Sequence, residues 1–140
     1  MDRSYPDYYE SLRKLSGRLS RELRSPMSAF TQLTGAATTE GALSSKFKQL
    51  IALAIGVTVR CDGCIAYHVH DAIRAGATRQ EIMEAIGVAI FMGGGPAMVY
   101  GCEALEALEQ FEAAGLIPAP PSQTKPDAGT HTAPSSTLSR

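Results

Sequence analysis

Gly76-Ala77-Thr78-Arg79-Gln80-Glu81-Ile82 is the stretch that decides the fold. Thr78 and Glu81 stand at capping-box spacing: the threonine hydroxyl accepts from an amide three residues on, and the glutamate reaches back to the cap amide. A helix therefore starts at Arg79 and runs to about Met92, while Gly76, free to adopt a left-handed backbone, stops the helix before it. Helix gives way to helix within a few residues, with no strand between.

Working upstream, a helix from Asp62 to Ala75 precedes Gly76, and another from Lys46 to Val59 precedes that, with Ser44 and Ser45 as candidate caps. Phe47, Leu50, Ile51, Leu53, Ala54, Ile55 and Val57 make the latter apolar nearly all round, which predicts a buried helix. The β-branched run Val57-Thr58-Val59 predicts a break before Cys61. Nearer the start, Pro6 and Asp7 suit a first helical turn, and Leu12, Leu15, Leu19 and Leu23 recur at spacings of three and four among basic residues. Pro26 is expected to end that helix. Met27, Phe30 and Leu33 suggest a shorter second one before a loose stretch from Gly35 to Gly41.

Downstream, Gly93-Gly94-Gly95-Pro96 lacks the lysine of a phosphate loop and follows a helix, so it predicts a tight interhelical turn. A last helix, Ala97 to Ala113, places Val99, Cys102, Leu105, Leu108 and Phe111 on one stripe, with Gly115 behind it; Cys102 is expected to be a small core residue, and Met83, Met92 and Met98 packing residues. The expectation is an all-α domain of about six helices over residues 1–117. Residues 118–140, rich in proline, serine and threonine and without an aromatic, predict a flexible tail, with a short docking peptide around Leu138 as the lesser alternative.

At 140 residues and 44% apolar composition the chain can bury a core without a disulfide framework. Thirteen Lys and Arg against fourteen Asp and Glu leave a net charge of −1, with no basic footprint for nucleic acid or anionic membrane. Only 19% of residues are charged, which hints at surface covered by another subunit. No uninterrupted apolar run reaches the roughly 18 residues of a membrane span. Three cysteines behind the polar start Met1-Asp2-Arg3-Ser4 point to a reducing cytoplasm.

Chemistry concentrates in Arg60-Cys61-Asp62-Gly63-Cys64-Ile65-Ala66-Tyr67-His68. At about 100° per residue, Cys64 lies about 60° and His68 about 20° from Cys61, so both sulfurs and the imidazole share one helix face. Helix-start amides favour thiolate at Cys61, whereas a nearby His68 favours thiolate at Cys64; position alone leaves the nucleophile open. Two inert buried cysteines are the bland alternative. A zinc site would need His70 or Asp71 as fourth ligand, and these point to another side of the helix. Covalent haem is excluded because Ile65, not histidine, follows Cys64. His70 is read as a surface or interface residue. No metal or organic cofactor is expected.

Lys46-Phe47-Lys48-Gln49-Leu50-Ile51-Ala52-Leu53-Ala54, the Cys61–His68 segment and Ala75-Gly76-Ala77-Thr78-Arg79-Gln80-Glu81-Ile82 together resemble the AhpD-like alkylhydroperoxidase branch of the carboxymuconolactone decarboxylase family, over about residues 44–113. The resemblance implies a helical fold assembling as a trimer or hexamer and a thiol peroxidase or disulfide reductase activity. It casts Cys64 as peroxidatic nucleophile, Cys61 as resolving thiol and His68 as proton relay, with a hydroperoxide as substrate and a dithiol as electron donor. Two positions depart from the pattern. Gln49 stands where the family usually carries glutamate, and Gly63 where its founding type has histidine; Gln49 cannot exchange a proton as a carboxylate does, so either the relay runs through His68 and water, or an acid such as Glu84 or Glu103 substitutes, or peroxidase turnover is poor. The alternatives are a lactone decarboxylase, for which two redox sulfurs have no use, and a non-catalytic oligomeric redox sensor.

Overall fold

The structure, a computed structural model, describes residues 2–120. Five helices follow in order: α1 (Tyr5–Glu22), α2 (Arg24–Thr38), α3 (Ser45–Thr58), α4 (Asp62–Arg74) and α5 (Arg79–Ala113). Among the described residues there is no β-strand; an isolated bridge joins Thr78 and Ala119. The all-α expectation holds. The helix count is one fewer than expected because two helical arms abut at the triple glycine with no loop between them, and the chain reverses there. Gly94 has φ 68° and ψ −151°, a region that only glycine enters freely. As a result Arg79, at one end of α5, pairs with Glu109 and Glu112 near the other, and Gly101 lies against Ile86 and Ile90. A Cβ on Gly93 would fall 2.5 Å from that of Ala97, so the reversal leaves no room for a side chain.

By length and composition α5 could cross a membrane, its most apolar 18-residue window having mean hydropathy 1.6. As folded it is two antiparallel arms, which pack Ile82, Ile86, Ala89, Ala97, Ala104 and Leu108 into the core. α3 packs on α4 and on α5, and α1 lies across α4 and α5. The core joins Leu53, Val57, Ile65, Val69, Ile82 and Leu108 to Tyr5 and Tyr9 of α1. Burial of such side chains stabilises by about 1.5–3 kcal/mol each. Lys46 of α3 reaches Glu81 at 2.7 Å, holding its carboxyl below the usual range.

The helix ends follow from local chemistry. Thr78 and Glu81 form both bonds of the capping box. Gly76 and Gly115 take positive φ, and each is followed by the paired amide-to-carbonyl bonds that close a helix, Gly76 to Ile73 with Ala77 to Ala72, and Gly115 to Glu112 with Leu116 to Phe111.

Several expectations are corrected. Pro26 does not end a helix: α1 stops at Glu22, and Pro26 sits in the first turn of α2, where its missing N–H breaks no bond. α2 continues through Gly35 to Thr38 and buries none of its residues. Leu15, Leu19 and Leu23 of the predicted stripe are exposed; the covered side of α1 is Tyr5 and Tyr9. α3 is not buried all round, since Phe47, Ile51 and Ile55 face outward. Cys102 is exposed, because the core side of the second α5 arm is the small-residue set Ala97, Gly101, Ala104 and Ala107, which lets the arms approach closely. Met92 and Met98 are exposed, whereas Met83 packs against the core. The proposed tail begins docked: the Ala119 amide donates to the Ala77 carbonyl at 3.0 Å. The rest of it, including Leu138, lies outside the described residues.

Candidate active site

α3 and α4 are joined by a turn of three residues. Arg60 takes φ 61°, a left-handed conformation uncommon for a residue with a Cβ. The Arg60 amide donates to the Val57 carbonyl at 3.3 Å and the Cys61 amide to that of Gly56 at 3.0 Å, the bond pair of a Schellman stop. Cys61 is also the N-cap of α4, its sulfur accepting from the Cys64 amide at 3.2 Å. One cysteine thus closes one helix and opens the next.

Cys61 and Cys64 form a disulfide, with S–S 2.05 Å and Cα–Cα 5.2 Å. The bond spans one helical turn, as the spacing allows. Gly56 of α3 sits against Cys64; a Cβ there would lie 3.0 Å from the Cys64 Cβ. Seven residues before Gly56, and so on the same face of α3, Gln49 is buried with its Oε1 2.9 Å from His68 Nδ1. The seam between α3 and α4 therefore carries Cys64 opposite Gly56 and His68 opposite Gln49. Cys61, Cys64, His68 and Gln49 all belong to this one stretch of helix packing.

Burial pushes the His68 pKa below its ordinary value, and the more distant Asp71 carboxylate only partly opposes it. The ring is thus neutral near pH 7. An amide oxygen only accepts, so Nδ1 carries the hydrogen and Nε2 keeps its lone pair. This is a base held in one tautomer, beside a disulfide.

The substitute acids are engaged elsewhere. Glu84 is exposed and accepts from Gln80, and Glu103 accepts from the buried Tyr5 hydroxyl at 2.6 Å. His70 is no ligand to the pair; it stacks on Tyr9 at 4.0 Å and bonds Asp71 at 2.8 Å, so it packs within the fold. Among the described residues no group of three His, Cys, Asp or Glu side chains converges as a metal-ligand set. Sequence reasoning missed Gly56, although a glycine inside an apolar helix is itself a sign of close approach. It also missed Arg3, whose guanidinium lies 2.7 Å from Asp62 between the two cysteines.

Known proteins match this architecture. The model of the carboxymuconolactone decarboxylase family matches residues 26–107. An uncharacterised protein of Cupriavidus necator is 38% identical over 97 residues, 69% of this chain and 86% of that one. A second, uncharacterised protein 4 of the cox locus of Paracoccus denitrificans, is 41% identical over 98 residues, 70% of this chain and 88% of its own length. In three dimensions the chain is similar to a carboxymuconolactone decarboxylase family protein from Legionella pneumophila in its apo form, with TM-score 0.74, 39% identity and coverage of 76% of this chain and 96% of the other. It is also similar to a family protein from Thermotoga maritima for which involvement in an antioxidative response has been suggested, with TM-score 0.69, 31% identity and coverage of 79% and 96%. Helical architecture and these matches agree: the chain belongs to the carboxymuconolactone decarboxylase family.

Proposed function

We propose that this protein is an AhpD-like thiol peroxidase that reduces hydroperoxides through the Cys61–Cys64 pair and is reset by a dithiol. The single observation that carries the reading is the seam itself, a disulfide one turn from a half-buried neutral histidine whose tautomer is set by Gln49. Starting from the dithiol, the Cys64 thiol gives its proton to His68 Nε2. The Cys64 thiolate attacks the distal peroxide oxygen, the O–O bond breaks, and the departing alkoxide takes the proton from His68 to leave as alcohol. Cys61 then attacks the sulfenic sulfur of Cys64, forming the disulfide and releasing water. In sum one hydroperoxide and two thiols become one alcohol, one water and one disulfide. An external dithiol returns two electrons and two protons by exchange.

The N-cap geometry fits the resolving role of Cys61. A sulfur that accepts an amide at a helix start is stabilised as thiolate, and it is correspondingly a good leaving group when the donor attacks Cys64. His68 shuttles the proton without a carboxylate behind it, so the Gln49 departure slows the cycle and leaves it intact. Such chemistry fits the cytoplasm, where dithiols are kept reduced.

The test uses dimedone, which traps sulfenic acid. After alkyl hydroperoxide, the Cys61→Ser protein is expected to carry the adduct at Cys64, and Cys64→Ser to consume no peroxide. Retention of both thiols in the unsubstituted protein, or unchanged turnover in Cys64→Ser, refutes the reading. Lactone turnover that survives Cys61→Ser would support the decarboxylase alternative.

Assembly belongs to the same proposal. Phe47, Ile51 and Ile55 recur every fourth residue on the outer side of α3, and Phe47 and Ile51 flank a shallow apolar groove with Ala85 and Val88 of α5. Exposed apolar surface of this extent marks an interaction site, and we assign it to further copies of this chain, as a trimer or hexamer. Light scattering should give a multiple of 14.9 kDa, reduced by Ile55→Glu; a monomer would overturn the assignment.

A further inference from the structure

The family match begins at residue 26, so α1 lies outside it, yet α1 reaches the redox pair. A Cβ on Gly63 would meet Leu12 Cδ1 at 3.3 Å and the Tyr8 hydroxyl oxygen at 3.8 Å. Arg3, just before α1, is fixed from several sides. Its carbonyl accepts from Gln110 Nε2 at 2.9 Å, its guanidinium lies over the Tyr8 ring at 4.8 Å, and Nη1 holds Asp62 Oδ2 at 2.7 Å. Tyr5 secures the arrangement, with its amide on Gln110 Oε1 and its hydroxyl on Glu103. Asp62 and Gly63 are the two residues between the cysteines. The N-terminal segment thus touches both of them.

An unneutralised carboxylate next to Cys61 would oppose formation of a second anion, since like charges disfavour one another. The charged and titratable groups around the pair are few: Arg3 and Tyr8 from the α1 segment, Asp62 and His68 from α4, and Arg60 from the turn, while α3 presents the uncharged Gly56 and Gln49. Among the described residues Arg3 is the cation bonded to the carboxylate beside the sulfurs. We propose that Arg3 is a positioning residue for the dithiol, a cation delivered by the N-terminal segment that neutralises Asp62 and so keeps the reacting thiol acidic enough to ionise near neutral pH. The proposal takes the Cys61–Cys64 pair as the reacting centre, following the function assigned above, and it identifies a determinant of reactivity outside the matched family region.

The experiment measures the rate of iodoacetamide alkylation against pH in the reduced full chain, on a Cys102→Ser background so that the exposed third thiol does not contribute. Arg3→Gln is expected to raise the midpoint by about half to one pH unit, the pair being partly exposed and hence screened. Below the midpoint that reads as roughly three- to tenfold slower alkylation. Asp62→Asn is expected to shift it downward, and the double variant to return close to the starting value. Opposite signs separate electrostatics from tethering: if Arg3 merely anchored α1, both single variants would break the same tether and move the midpoint the same way. That outcome, or no movement in either variant, overturns the proposal. Arg3→Lys is expected to retain most of the effect, and 1 M salt to shrink it. Peroxide consumption is followed in parallel; opposite-signed shifts in a protein that consumes no peroxide would uphold the role of Arg3 while refuting the peroxidase reading.

Discussion

Replacing Gln49 by glutamate puts a carboxylate where an amide now accepts the Nδ1 hydrogen of His68 at 2.9 Å. Protonated imidazole and carboxylate would then have charge centres about 4 Å apart, worth about 4 kcal/mol at an effective dielectric of about 20. Position 49 is only 8% exposed, so desolvation of the new carboxylate takes back part of this, leaving a rise of about one to three pH units in the histidine midpoint. A ring that burial now holds neutral would become more protonated at pH 7. The measurement is a proton–nitrogen NMR titration, with His68 distinguished from His70 and His131 by a His68→Gln sample. Alkylation of the dithiol at pH 7 should accelerate in the same variant, because an imidazolium favours thiolate. A midpoint that stays or falls, in a protein with unchanged thermal unfolding, would refute the assigned seam and with it the tautomer argument.

Other expectations follow from single features. Gly56→Ala gains up to about 1 kcal/mol of helix propensity, but its methyl meets the Cys64 Cβ at 3.0 Å, and overpacking of about 1–3 kcal/mol should prevail; calorimetry should show a lower Tm. Arg60→Gly removes the left-handed penalty of about 1–2 kcal/mol per non-glycine residue at the expense of about 0.5–1 kcal/mol of chain entropy, so urea unfolding should find the variant more stable by up to about 1 kcal/mol, and a loss would count against the observed turn. Because burial lowers the His68 pKa in the folded state, the unfolded chain binds more protons between that value and the ordinary one near 6.5. Stability should therefore decline as pH falls from about 7 through this interval and level off below the folded value; His68→Gln should flatten this part of the profile, and an unaltered slope would refute the linkage.

What could be read from residues alone was what short-range chemistry fixes. The Thr78–Glu81 box, the left-handed Gly76 and Gly115, and the pairing of Cys61 with Cys64 one helical turn apart need only a few consecutive residues, and all are present. Expectations failed where burial depends on distant partners. α3 is apolar all round in sequence, yet only one side of it meets α4 and α5. Cys102 sat on the more hydropathic stripe, but the reversal at Gly94 brings the alanine and glycine stripe together instead. Gln49 came to attention only through family likeness, since nothing local sets a glutamine in mid-helix apart. Arg60 gave no sign of its backbone, because arginine has no preference for left-handed geometry and two neighbouring helices impose it. The contact from Arg3 to Asp62 spans about half of the described residues and could not be inferred from spacing.

The double duty of Cys61, closing α3 while capping α4, keeps the connection between the two helices to a three-residue turn. A disulfide at such a junction shares the opening energetics of the two helices it joins, as one in a surface loop would not. Deuterium should therefore enter the amides of Cys61 and Cys64 as slowly as those of Leu53 and Val69, and what attacks the sulfurs must come to a centre that hardly yields to meet it.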